Sequence, residues 1–140
     1  MEKLVIYLTT YSVNSLFGVK ALLNGAVANG IKVEVFFDGT SILAITKQFY
    51  DKYPKQDTDN EYARAKIDIW KKGYQLDWLE SLKDAKKMGL VKVRICGVCK
   101  EAFEKIYGPL EFLDILYETI NPAIFLAELR EEKDVLVMTV

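Results

Sequence analysis

The chain has 140 residues, of which 51% are hydrophobic and 12% aromatic, enough for one compact domain that needs no disulfide or metal staple to fold. Nineteen Lys and Arg against twenty Asp and Glu leave a formal net charge of −1, so no global field favours nucleic acid or an anionic membrane surface. Histidine is absent, which excludes Ser-His-Asp and Cys-His catalysis, and two cysteines without histidine do not complete a four-ligand zinc site in one chain; no metal or cofactor is expected.

The first element is LVIYL, Leu4 to Leu8, a continuous apolar run of β-formers that predicts a central strand covered on both faces. It is too short for a secretory core, and acidic Glu2 lies in its flank. No apolar stretch approaches the roughly 20 residues that cross a bilayer. The expected location is the cytoplasm, where two cysteines three apart point to redox, sulfur-handling or buried roles rather than to a structural disulfide.

The polar cluster TTYSVNS reads as a strand-to-helix loop, with Asn14 or Ser15 capping a helix whose apolar stripe runs through Leu16, Val19, Leu23 and Ala26 to a stop at Asn29-Gly30. Val33 to Phe37 is a second strand, ending in the turn Asp38-Gly39-Thr40-Ser41. A helix is expected from about Ile42 toward Tyr53, stopping before Pro54. The polar segment KYPKQDTDNEY reads as a loop, and residues 48–73 as a polar and helical insertion within a single domain, 1–140.

Ala63 to Trp70 and Asp77 to Met88 have helical patterning. Val91 to Ile95 is a third strand, in which Lys92 and Arg94 suggest one face or end open to solvent or a cleft. A short helix follows to Tyr107. The segment EFLDILYETI is ambiguous and is read as helix, then a short strand at Tyr117 to Ile120; Pro122 then opens a helix, and Val135 to Val140 is a terminal strand. Strands alternating with helices predict an α/β fold, a three-layer α/β/α arrangement on a mainly parallel sheet of about five strands.

The only two cysteines lie in VKVRICGVCKEAF, Cys96 where the third strand ends and Cys99 in the first turn of the next helix. In such sheets ligands gather beyond the carboxyl ends of the strands. Helix amides after Cys96, with Lys100 and Arg94 as added positive charge, favour a thiolate there. The alternative is that both are small apolar side chains in a core, since unpaired cysteine is among the most buried residue types. Topology also brings Thr10, Ser12 and Asn14 after strand one, and Asp38 and Thr40 after strand two, to the same edge. With Gly97 between the cysteines they are candidate binding residues, although each of the five polar ones reads more readily as a cap or turn former.

Taken together, LVIYLTT, GVKALLNGAVANGIKVEVFFDGTSILAI, GLVKVRICGVCKEAF and PAIFLAELREEKDVLVMTV resemble the DsrE/DsrF-like family of small sulfur-handling proteins. The resemblance spans most of the chain outside about 48–73. It implies a flavodoxin-like α/β/α fold, trimers or hexamers, a protein sulfur donor or acceptor, and Cys96 as a persulfide carrier, with the role of Cys99 open. Two other readings stand beside it. CGVC is similar to the redox motif of thioredoxin-like proteins, although too little chain follows Cys99 for that topology. The other is a non-catalytic binding subunit with structural cysteines, for which Trp70, Tyr74 and Trp78 are candidate partner contacts. A dinucleotide enzyme is disfavoured, because TTYSVNSLFG has no GxGxxG.

Overall fold

The computed structural model describes residues 1–52, 61–74 and 77–140. The elements run β1 (Lys3–Leu8), α1 (Val13–Ala28), β2 (Lys32–Phe37), a 3-10 helix (Gly39–Ile45), α2 (Glu61–Ile69), a π-helical segment (Trp70–Tyr74), α3 (Asp77–Lys87), β3 (Val91–Cys96), α4 (Gly97–Tyr107), β4 (Glu118–Ile120), α5 (Pro122–Glu131) and β5 (Val135–Thr139). Every strand pair is parallel, and the sheet order is β4-β3-β2-β1-β5. β1 is an interior strand, as its apolar run requires, and β2 is the middle one.

This order decides which face each helix covers. The steps β1 to β2 to β3 to β4 all run one way, so right-handed crossovers put their helices on one face. The step from β4 to β5 returns across the sheet and puts α5 on the other. Alternate strand residues follow suit. Leu4, Ile6, Leu8, Val33, Val35, Phe37, Val93 and Ile95 join the larger core with α1 and α3. Val5, Phe36 and Cys96 meet Phe125 of α5 and Ile120 in a smaller one. The result is a three-layer α/β/α fold, with the second face covered by α5.

Several local expectations change. The helix expected from Ile42 toward Tyr53 is only a 3-10 helix, Gly39–Ile45, with turns after it. Ile42, Leu43, Ala44 and Ile45 are all buried, so the segment is surrounded by core and has no solvent face for a longer amphipathic helix. Thr46 then donates its side chain to the Leu43 carbonyl at 2.7 Å and bridges Phe112. That bridge also keeps Glu111 to Leu113 out of a helix, with a turn at Asp114 and Ile115, where a helix was expected. The expected stop at Pro54 and most of the polar loop after it lie outside the described residues.

The cap of α1 is Ser12 rather than Asn14 or Ser15. Arg94 is not at an open face. It is buried on the α5 side, paired with Glu34, with Glu118 at 2.9 Å and with Glu128 at 2.6 Å, and its guanidinium lies 5.3 Å from the Phe125 ring centre. Lys3 Nζ adds a contact of 2.7 Å to the buried Glu34 carboxylate. The strand is open only at its start, where Lys92 is exposed; at Arg94 it is covered, because β2, β4 and α5 supply three carboxylates. Of the aromatics considered for a partner surface, Trp78 is wholly buried in the main core, and the side chains of Trp70 and Tyr74 lie outside the description.

Candidate functional site: two thiols and a carboxylate at the sheet edge

The loop after β3 leads to α4 on one face, and the loop after the neighbouring β4 leads to α5 on the other. The carboxyl ends of strands whose loops part in this way are the usual ligand position in parallel α/β sheets. Cys96 is the last residue of β3 and the N-cap of α4. Gly97 follows immediately, and a Cβ there would lie 3.1 Å from Cγ2 of Thr119, so the close approach of β4 favours glycine.

Three side chains converge at this point. Cys96 Sγ, Cys99 Sγ and an Asp38 carboxylate oxygen all lie within 4.8 Å of one another. The Cys99 thiol donates to Asp38 Oδ1 at 2.9 Å, and the Cys99 amide donates to Cys96 Sγ at 3.4 Å. Gly39 N–H serves both neighbours, lying 2.7 Å from Asp38 Oδ1 and 3.3 Å from Cys99 Sγ. Tyr7 donates its phenol to Asp38 Oδ2. Gly39 makes this possible with a φ of 56°, and a Cβ there would sit 2.6 Å from the Thr9 carbonyl oxygen.

The surroundings hold the proton on Cys99. Burial, then the hydrogen bond to Asp38, pushes the Cys99 thiol up to about 12, so it remains protonated at neutral pH. Tyr7 is likewise raised to about 12, by burial and then by Asp38. For Asp38, burial alone would raise the carboxyl. The hydrogen bonds from Cys99, Tyr7 and the Gly39 amide outweigh it and hold the group below the usual carboxylate range. Access to the two thiols differs, for Cys96 is only 2% exposed while Cys99 is half-buried.

Of the other predicted binding residues, only Asp38 joins the cysteines through its side chain. Ser12 accepts from the Ser15 amide at 3.0 Å, and Thr10 Oγ1 lies 3.3 Å from Ser15 Oγ. Thr40 accepts from the Tyr11 amide at 3.1 Å and tightens the two loops against each other. Asn14 is exposed on α1. These four have the cap and turn surroundings that were the alternative for each. Arg94 and Lys100, expected to add positive charge, are instead paired with carboxylates, Lys100 with Glu104 at 2.9 Å. Tyr7 is not among the residues singled out from the sequence; its one signal there is a hydroxyl-bearing side chain near the carboxyl end of an otherwise aliphatic strand.

The chain is thus an α/β protein of the flavodoxin-like, three-layer kind, with a thiol–carboxylate cluster at the carboxyl edge of its sheet. No family model and no curated protein matches it. Its fold is similar to a solved structure, a protein of unknown function, MTH1491, from Methanobacterium thermoautotrophicum. The TM-score is 0.59 and the identity 10% over 100% of both chains, a likeness of fold.

Proposed function

We propose that the protein is a sulfur carrier that accepts a sulfane sulfur on Cys96, with Cys99 as an auxiliary thiol. The observation that carries this reading is the asymmetry of the pair. Asp38 keeps Cys99 as a neutral thiol, while the Cys99 amide is aimed at Cys96 Sγ, a donor suited to sulfur that bears negative charge. The resemblance of the sequence to the DsrE/DsrF-like family supports the same residue.

The step is an exchange at sulfur. The Cys96 thiolate attacks the outer sulfur of a donor persulfide, R–S–SH; the new Cys96 S–S bond forms as the donor S–S bond breaks, and R–S⁻ leaves and takes a proton from water. Burial of Cys96 then shields the bound sulfur from bulk thiols. Hand-over to an acceptor thiolate is the same exchange in reverse. Both cysteines are free, and a reducing compartment such as the cytoplasm suits them. No helix among the described residues is long and apolar enough to cross a membrane.

Assembly into a homo-oligomer, a trimer or hexamer, belongs to this reading. It is supported by apolar side chains exposed on the α5 side of the sheet, Leu126 of α5 and Val137 of β5, which line one groove with Phe125 and Leu129. A protein donor or acceptor of sulfur would be a further partner.

Mass spectrometry of the native protein after incubation with a low-molecular-weight persulfide tests the function. The expected product carries one added sulfur on the peptide containing Cys96, lost in Cys96→Ser and kept in Cys99→Ser. A product that has only lost two hydrogens, with Cys96 and Cys99 joined, would favour thiol–disulfide exchange instead.

A further inference from the structure

We propose that Asp38, Cys96 and Cys99 form a three-ligand site for a zinc ion, with a fourth position open to solvent or a small ligand. Histidine is not needed once the fold places a carboxylate beside the cysteine pair. Asp38 directly follows β2 and caps the 3-10 helix, and Cys96 ends the adjacent β3, so the ends of two neighbouring strands bring the donors together. Donor atoms on one tetrahedral zinc lie roughly 3.5–3.8 Å apart, given Zn–S of about 2.3 Å and Zn–O of about 2.0–2.2 Å. A cluster already within 4.8 Å reaches that spacing by small side-chain rotations.

The surrounding contacts fit a carboxylate held for an ion. Tyr7 donates to Oδ2 and the Gly39 amide to Oδ1, fixing the carboxylate plane as outer-sphere donors do around metal sites. The Cys99 thiol occupies the remaining direction on Oδ1. When an ion replaces that proton, the hydrogen bond between the two donors becomes a pair of ligand bonds. Two thiolates select a soft or borderline cation over magnesium or calcium, and the carboxylate suits zinc. In charge balance, Zn²⁺ with two thiols and one carboxylate gives a complex of net charge −1 and releases two protons. Asp38 and Cys99 are partly exposed, which gives the ion its entry from solvent.

This inference does not depend on the sulfur reading, but it uses the same thiols, so bound zinc would block sulfur loading. The test uses the full chain, stripped of metal by a chelator and titrated with Zn²⁺ against a chromophoric competitor. One ion per chain is expected. Asp38→Asn and Cys99→Ser should each weaken binding more than tenfold, and Tyr7→Phe about tenfold, the scale of lost outer-sphere support. Co²⁺ as a probe should give a thiolate charge-transfer band that Cys99→Ser diminishes.

Because Cys96 is buried, the decision rests on the half-buried Asp38 and Cys99, with circular dichroism confirming that each variant is folded. Absence of competitive binding, or binding unaltered in both variants, or a cobalt complex without the thiolate band, overturns the proposal. A metal-free protein that accepts sulfur but never binds zinc removes this inference alone. A protein that binds zinc at these residues yet never accepts sulfur removes the sulfur reading alone.

Discussion

Replacing Asp38 by Asn should make Cys99 more reactive, not less. The carboxylate accepts the Cys99 thiol proton at 2.9 Å, and with burial it keeps that proton in place up to about pH 12. A hydrogen bond to a charged partner is worth about 1.5–3 kcal/mol. At about 1.4 kcal/mol per tenfold change in an equilibrium, removing the charge raises the thiolate fraction about ten- to hundredfold at a fixed pH below the pKa. A less basic thiolate is also a weaker nucleophile, with a Brønsted slope of about 0.4–0.5, which returns about half of the gain on a logarithmic scale. The net expectation is alkylation about three- to tenfold faster. Burial is the larger cause and survives the substitution, so Cys99 should still titrate above an ordinary thiol. The assay is iodoacetamide kinetics against pH in a Cys96→Ser background, where Cys99 is the only thiol, with and without Asp38→Asn. An unchanged or slower rate in the folded double variant would refute the claim that Asp38 holds the proton on Cys99.

The ion network under α5 gives a second prediction. Arg94→Met leaves the buried Glu34 carboxylate with Lys3 alone and should cost about 3–5 kcal/mol in urea unfolding. Glu128→Gln, at an exposed partner, should cost about 1 kcal/mol or less; equal effects would show that burial does not separate the two. The pH dependence of stability follows from Cys99, whose folded pKa of about 12 exceeds the unfolded value of about 8.5. Its contribution is complete below pH 8.5 and is lost as pH rises toward 12, at a slope of up to about 1.4 kcal/mol per pH unit. Cys99→Ala should flatten that limb in denaturation curves between pH 8 and 10. Asp38, held low, acts at the acid end, where its contribution is lost as pH falls through its folded pKa. Finally, light scattering should give an oligomeric mass at micromolar concentration, reduced by Leu126→Glu on the exposed flank of α5; a monomeric wild type would remove the assembly.

Much of the fold was legible in the chain because the signals are local. The unbroken apolar run of β1, the helical stripe of α1 with its Asn29-Gly30 stop, and Pro122 opening α5 each state a conformation within a few residues. Alternation of strands and helices then implies parallel pairing through the handedness of crossovers. The segment Ile42 to Ile45 and the EFLD stretch were misread because burial on every side and a bridge between Thr46 and Phe112 override local preference.

The cysteine pair, its place at the strand end and the absence of histidine belong to the sequence alone. Which groups surround the pair does not. Asp38 is 58 positions before Cys96, and Tyr7 is 31 before Asp38, and only the register of β1, β2 and β3 makes them neighbours. Arg94 likewise changes from a sign of an open face to a buried cation once Glu34, Glu118 and Glu128 close on it. Local chemistry is written in the order of residues, whereas burial and the partners of a charge are set by strands and helices far apart in the chain, and these hold the proton on Cys99.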